Sequence, residues 1–470
     1  MTSIIPPEVS LTLENFPALE KLYQADNLGS YMAPLMQWKL NKTVFPNSAR
    51  LIELIKHDTH RLYGQDTADN FAEHLQTGAY IAETGPHMHM PRDLDRLDFK
   101  TKGYQNINTL TLQSILATTA IHSRYQQKFK LSMFTGIIPG RNTQSASYLQ
   151  TSTKNSDIPR LISNKWAQHI QAYLPAMDNT KIDDLSKTIG TMNHLIDKDR
   201  TIQVLNLFKK NNTSFSDQIS SGCNYLFDEL QSESNVKQIT LDSHLIAATY
   251  FTDLLADKNS LISAIFKDQS SADHFSQTFA GIRTGWKEGE TPFINLEGTP
   301  HGNGQAVYKT SGAYTGPCDR DSLLIALNNK TIMPTGVMGF FATMVEGGLL
   351  STGGMFQSEY CTQIRDRAVP LLKAYGDPQR AEILSQMPTD IATVSPVWGI
   401  DQTDDPDLLN YSALLTRVPP LSKDIFAQIS DVTGPSALYG AVPTLLSLTG
   451  NNLDLANWQK NLPHYNLLRV

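Results

Sequence analysis

The stretch Glu83-Thr-Gly-Pro-His-Met-His-Met-Pro-Arg-Asp-Leu-Asp-Arg holds the densest set of groups that could do chemistry. His87 and His89 can serve as hydrogen-bond donors or as general acid and base, because imidazole titrates near neutral pH. Gly85 lets a ligand approach the backbone closely. Thr84 and Gly85 are therefore expected to bind substrate, and His87 and His89 to be catalytic. His87-X-His89 also has the spacing of a metal pair, with Asp93 and Asp95 nearby. Two imidazoles fall short of the three protein ligands of a catalytic zinc site, so no metal ligand is assigned.

A second cluster is Gly347-Gly348-Leu-Leu-Ser-Thr-Gly-Gly-Met-Phe-Gln-Ser-Glu-Tyr, in which two glycine pairs bracket four residues just before a long helical pattern. Backbone amides at such a helix start can hold a carboxylate or a phosphate. The spacing matches neither Gly-X-Gly-X-X-Gly nor a P-loop, and close packing through the glycines is an equal alternative. Gly353, Gly354, Gln357, Glu359 and Tyr360 are the candidate substrate-binding residues here. Elsewhere, His301 sits alone in a glycine-rich loop. Cys223, Cys318 and Cys361 have no Cys-X-X-Cys or triad context and read as buried, inert thiols. Asp401 to Asp407 lacks the glycine and terminal glutamate of a calcium loop.

These residues need elements to position them. Ala79-Tyr-Ile-Ala reads as a short buried strand that stops at Thr84-Gly85-Pro86. Thr109 to Gln126 reads as a helix, and Phe129-Lys-Leu-Ser-Met-Phe alternates as strands do. Strand, long loop, helix and strand outline a βαβ unit with a parallel pair. Residues 1–165 form the first part of an α/β core with N-terminal helices. Residues 166–285 read as helical throughout, from apolar spacing at Asp183–Leu195, Ile202–Lys210, Ser216–Leu230 and Leu241–Leu255. Residues 286–470 return to mixed texture: a strand pair at Phe293–Leu296 and Gln305–Lys309, helices at Asp321–Asn328 and Gly354–Tyr375, and a strand at Ile391–Ser395. The expected fold is α/β, a Rossmann-like parallel sheet built from the N- and C-terminal thirds with a helical domain inserted between them. Both glycine-turned segments should then lie at one sheet edge and face a single cleft.

The two motifs together resemble the bacillithiol-biosynthesis cysteine-adding enzymes. That family has an early strand ending in Thr-Gly with a polar loop after it, to which Ile81-Ala-Glu-Thr-Gly-Pro-His is similar. Late in the chain it has an apolar helix and a Gly-Gly turn into a helix with an early tyrosine. Met333-Pro-Thr-Gly-Val-Met-Gly-Phe-Phe through Gly353-Gly-Met-Phe-Gln-Ser-Glu-Tyr looks like that feature. The resemblance covers about a third of the chain and implies a nucleotidyltransferase-like Rossmann core with a ligand at the strand ends.

Composition narrows the class. The chain has 470 residues, 40% apolar and 18% charged, with a formal net charge of −7. That balance gives no electrostatic footprint for nucleic acid, and no apolar run is long enough to span a membrane. The opening MTSIIPPEVSLTLENF has neither a basic head nor a long apolar run, so a cytoplasmic protein is expected. The expected function is a biosynthetic ligase-like or transferase-like enzyme that joins an amino acid to a small amine-bearing metabolite. A nucleotide is a candidate cofactor, and a homodimer is an open expectation. The alternatives are a metal-dependent hydrolase using the His-X-His pair and a non-catalytic binding protein.

Overall fold

The computed structural model describes residues 5–40, 45, 48–76, 80–85, 118–134, 171–172, 179–190, 198–210, 215–282, 285–300, 306–353, 355–392, 398–399, 420, 422–448 and 468–469. Within them the architecture is mixed α/β, with helices predominating. The strands that matter are β1 (Tyr80–Gly85), β2 (Phe129–Phe134), β3 (Gln171–Ala172), β4 (Lys237–Asp242), β5 (Phe293–Pro300), β6 (Ala306–Ala313), β7 (Ile332–Pro334) and β8 (Leu349–Thr352).

Four of these form a sheet in the order β4-β2-β1-β8, and every pairing in it is parallel. Ala82 of β1 is in register with Leu131 on one side and Ser351 on the other. Beyond β8, Gly353 makes a further parallel bridge to Ala392. The second sheet, β3-β6-β5-β7, is antiparallel, with β5 and β6 as its central pair and an irregularity in register after Asn295.

Parallel strands are covered on both faces, and this sheet shows what that demands of the sequence. Leu131, Met133, Ile239 and Leu241 are buried on one face of β2 and β4. The alternate residues Lys130, Ser132, Gln238 and Thr240 are also buried, although they are polar. Several of them find partners inside the protein, whereas Gln238 Oε1 is buried without one. Lys130 Nζ donates to Thr119 Oγ1 at 3.3 Å, and Thr119 Oγ1 donates to Gln231 Oε1 at 3.1 Å. The Tyr63 hydroxyl donates to the Thr240 carbonyl at 2.6 Å and accepts from its N–H at 3.3 Å.

Two expectations are corrected by this topology. The 166–285 stretch is not helical throughout: it carries β3 and, in the parallel sheet itself, β4. Helices Asn179–Gly190, Lys198–Lys210, Phe215–Leu230 and Ser243–Ala256 account for much of the rest. The parallel sheet therefore draws on the middle of the chain as well as its two outer thirds. Apolar residues from Ile239 to Ile282 share one core with Val9 near the start and Leu446 near the end. Aromatic packing centres that core: Phe275 stacks on Phe279 at 4.5 Å and meets Phe341 edge-on at 5.1 Å.

Other elements follow the sequence closely. The helix Ser48–Tyr63 stops before Gly64, and Met355–Ala374 is the long helix expected after the second glycine pair. Of the helix expected over 109–126, residues 118–124 are helical and 109–117 lie outside the described residues. Of the strand expected at 391–395, the bridge at Ala392 is seen, and 393–395 lie outside. The apolar run after Thr335 forms a short helix, Gly336–Phe340, that widens into a π-helix over Phe341–Glu346.

Candidate functional site

The strand order places the two glycine-turned segments side by side. β1 and β8 are parallel neighbours with Glu83 in register with Thr352, so Gly85 and Gly353 sit at the same carboxyl edge. This is also where the order of strands reverses. From β1 the chain first adds β2 and then β4 on one side, and only later β8 on the other. Crevices at such reversals, outside the carboxyl ends of parallel strands, are where open α/β sheets bind ligands.

The element that follows β8 supplies the first candidate groups. Thr352 and Gly353 lead into the helix Met355–Ala374, whose first-turn amides have no partners within the helix. Gln357, in that first turn, is 3% exposed, and neither Oε1 nor Nε2 of its carboxamide has a hydrogen-bond partner. The Ser351 hydroxyl, on β8, is likewise buried without one. Tyr360 is buried one turn along the helix, its ring 5.2 Å from that of Phe340. Glu359 is exposed, where its carboxylate accepts from Gln363 Nε2 at 3.5 Å. Sequence spacing put Gln357, Glu359 and Tyr360 together as ligand-reaching side chains, and the structure separates them. Glu359 faces water, whereas Gln357 and Tyr360 are enclosed.

Thr84 and Gly85 belong to β1 at this edge. His87, His89 and Gly354 lie outside the described residues, as do His301, the Asp401–Asp407 run and the loop after β1. Among the described residues no group of three or more His, Cys, Asp or Glu side chains stands together as a metal site. No helix among them is long and apolar enough to cross a membrane.

The first glycine pair has a different job from the second. A Cβ at Gly347 would lie 2.6 Å from Leu51 Cδ2 and 2.7 Å from the Thr343 carbonyl oxygen. Gly348 has a φ of +72°, and a Cβ there would lie 2.4 Å from Phe45 Cδ2. This pair packs the end of the π-helix against its neighbours at the amino end of β8, away from the carboxyl edge. Gly348→Ala is expected to lose about 2–4 kcal/mol of stability, from left-handed strain together with overpacking. Urea denaturation checks this, and a variant within about 0.5 kcal/mol of wild type would contradict it.

The three cysteines are buried and form no disulfide. Burial pushes the Cys318 thiol up to about 12 and the Cys361 thiol higher still, which suits inert packing residues and not nucleophiles. Sequence reasoning missed two groups of this region. One is Ser351, whose strand was read as a spacer between glycines. The other is the buried polar face of β2 and β4, whose signal was the matching alternation in Lys130-Leu-Ser and Gln238-Ile-Thr.

The fold and this edge define an α/β protein with a four-stranded parallel sheet whose strand order reverses at β1. Comparison of the chain with family models, curated proteins and solved structures returns no match.

Proposed function

We propose that the chain is a biosynthetic enzyme of ligase or transferase type, joining an amino acid to a small amine-bearing metabolite at a Rossmann-like site between β1 and β8. The single observation that supports this reading most is the reversal of strand order at β1, with a helix start and a buried, unpaired carboxamide beside it. The sheet order, starting from β1 and running outward to β2 and β4 before turning back to β8, is that of the first strands of a dinucleotide-binding sheet. A nucleotide is the candidate co-substrate, its phosphate suited to the first-turn amides. His87 and His89, which follow β1 closely in the sequence, are proposed as acid and base, in the cytoplasmic setting the sequence suggests.

Isothermal titration with a panel of amino acids, nucleotides and inorganic phosphate tests the proposal. Binding is expected, weakened about tenfold or more by His87→Gln, the scale of a lost charge-assisted hydrogen bond, and weakened also by Gly354→Ala, because a methyl group obstructs close approach to the backbone. A chain indifferent to the whole panel would sink it.

A further inference from the structure

Gln357 carries a more specific message than the crevice alone. Its carboxamide offers one acceptor, Oε1, and two donors on Nε2, and all of them are buried without a partner. Buried polar groups in folded proteins are almost always paired, so an unpaired carboxamide marks a place where something polar belongs. A phosphate or carboxylate would take the N–H and leave Oε1 bare, because it has no donor to return. The partner must therefore present a donor beside an acceptor.

The aromatic neighbourhood narrows the partner further. Gln357 and Tyr360 lie three residues apart on one helix, so they share a face, and the Tyr360 ring packs against Phe340. A flat ring with a donor–acceptor edge meets both conditions. Adenine has such an edge, with its exocyclic amine beside a ring nitrogen, and glutamine pairs with it through two hydrogen bonds. The amides of the same helical turn suit a phosphate carried by the same molecule.

We propose that Gln357 reads the adenine edge of an adenine nucleotide bound at the β1/β8 crevice, an inference that rests on the crevice being the ligand site. Glu359, one residue into solvent from this face, takes no part in it.

The test compares AMP with purine riboside 5′-monophosphate, which lacks the exocyclic amine, by isothermal titration of the full-length protein. Wild type is expected to bind AMP at least tenfold more tightly than the analogue. Gln357→Met should erase that preference and, without ligand, melt at a higher temperature than wild type, because an unpaired buried amide has gone. Equal affinities in the wild type, or a preference that survives in Gln357→Met, would overturn the assignment. So would a lower melting temperature of ligand-free Gln357→Met, which would mean the carboxamide already has a partner. If inorganic phosphate or an amino acid binds and AMP does not, the crevice stands and the adenine assignment falls. If nothing binds, both fall.

Discussion

Glu346→Ala is expected to lose about 3–5 kcal/mol of unfolding free energy, the largest effect of any single substitution considered for this chain. Glu346 ends the π-helix and is fully buried. Its Oε2 accepts from Arg380 Nη1 at 2.9 Å, and its Oε1 accepts from the Ile262 N–H at 2.8 Å. Arg380 Nε is also 2.9 Å from Asp377 Oδ2. One carboxylate thus joins three separate elements: the helix Leu261–Ile265, the π-helix before β8, and the helix Pro378–Ser385. Removing it leaves a guanidinium whose side chain is only 10% exposed facing Asp377 alone, and strands the Ile262 amide. Replacing both partners by apolar residues of similar volume, as in Glu346→Leu with Arg380→Met, avoids the uncompensated charge. That double variant should recover most of the loss in urea denaturation. If it is no more stable than Glu346→Ala, the uncompensated charge is not what costs stability.

Gly434→Ala is expected to lose about 3 kcal/mol, by a different route. Gly434 opens the helix Gly434–Leu448, and a Cβ there would stand 1.9 Å from the Leu22 carbonyl oxygen and 2.7 Å from that of Ala25. Both obstacles are backbone atoms, one in the helix Glu20–Gln24 and one just after it, which cannot rotate aside as a side chain can. The Gly434 N–H also donates to the Ala25 carbonyl at 3.2 Å, so the clash pushes against the bond that docks the two ends of the chain. Hydrogen exchange should show faster opening of residues 434–448 and 20–25 than of the parallel sheet. Uniform opening of the whole protein would argue against a local clash.

Some of this was readable in the residues and some could not have been. The parallel pairing of β1 with β2 follows from the alternation at Phe129–Met133 and the helical spacing before it. The placement of Gly85 and Gly353 at one edge follows from two apolar elements that each turn on glycine. β4 was hidden because Ile239 and Leu241 run straight into the apolar helix Ser243–Ala256, so a helical period fits both. β8 was hidden because Leu349-Leu-Ser-Thr is short and lies between glycines that suggest a loop. Lys130 and Ser132 looked like the wet side of a strand, and only the helices packed over them show otherwise. The Glu346–Arg380 pair joins residues in different elements, and no local spacing connects them.

The strand order also has a consequence for how the protein comes into being. β1 is flanked by β2, which follows soon after it, and by β8, which lies roughly 260 residues later in the chain. At typical synthesis rates of about 5–20 residues per second, the second edge of β1 stays uncovered for tens of seconds while the ribosome works toward Leu349. An unpaired parallel edge of Tyr80-Ile-Ala is a template for any other extended chain nearby. The nascent protein therefore waits with an adhesive strand edge, and the arrival of Leu349–Thr352 is the event that covers it.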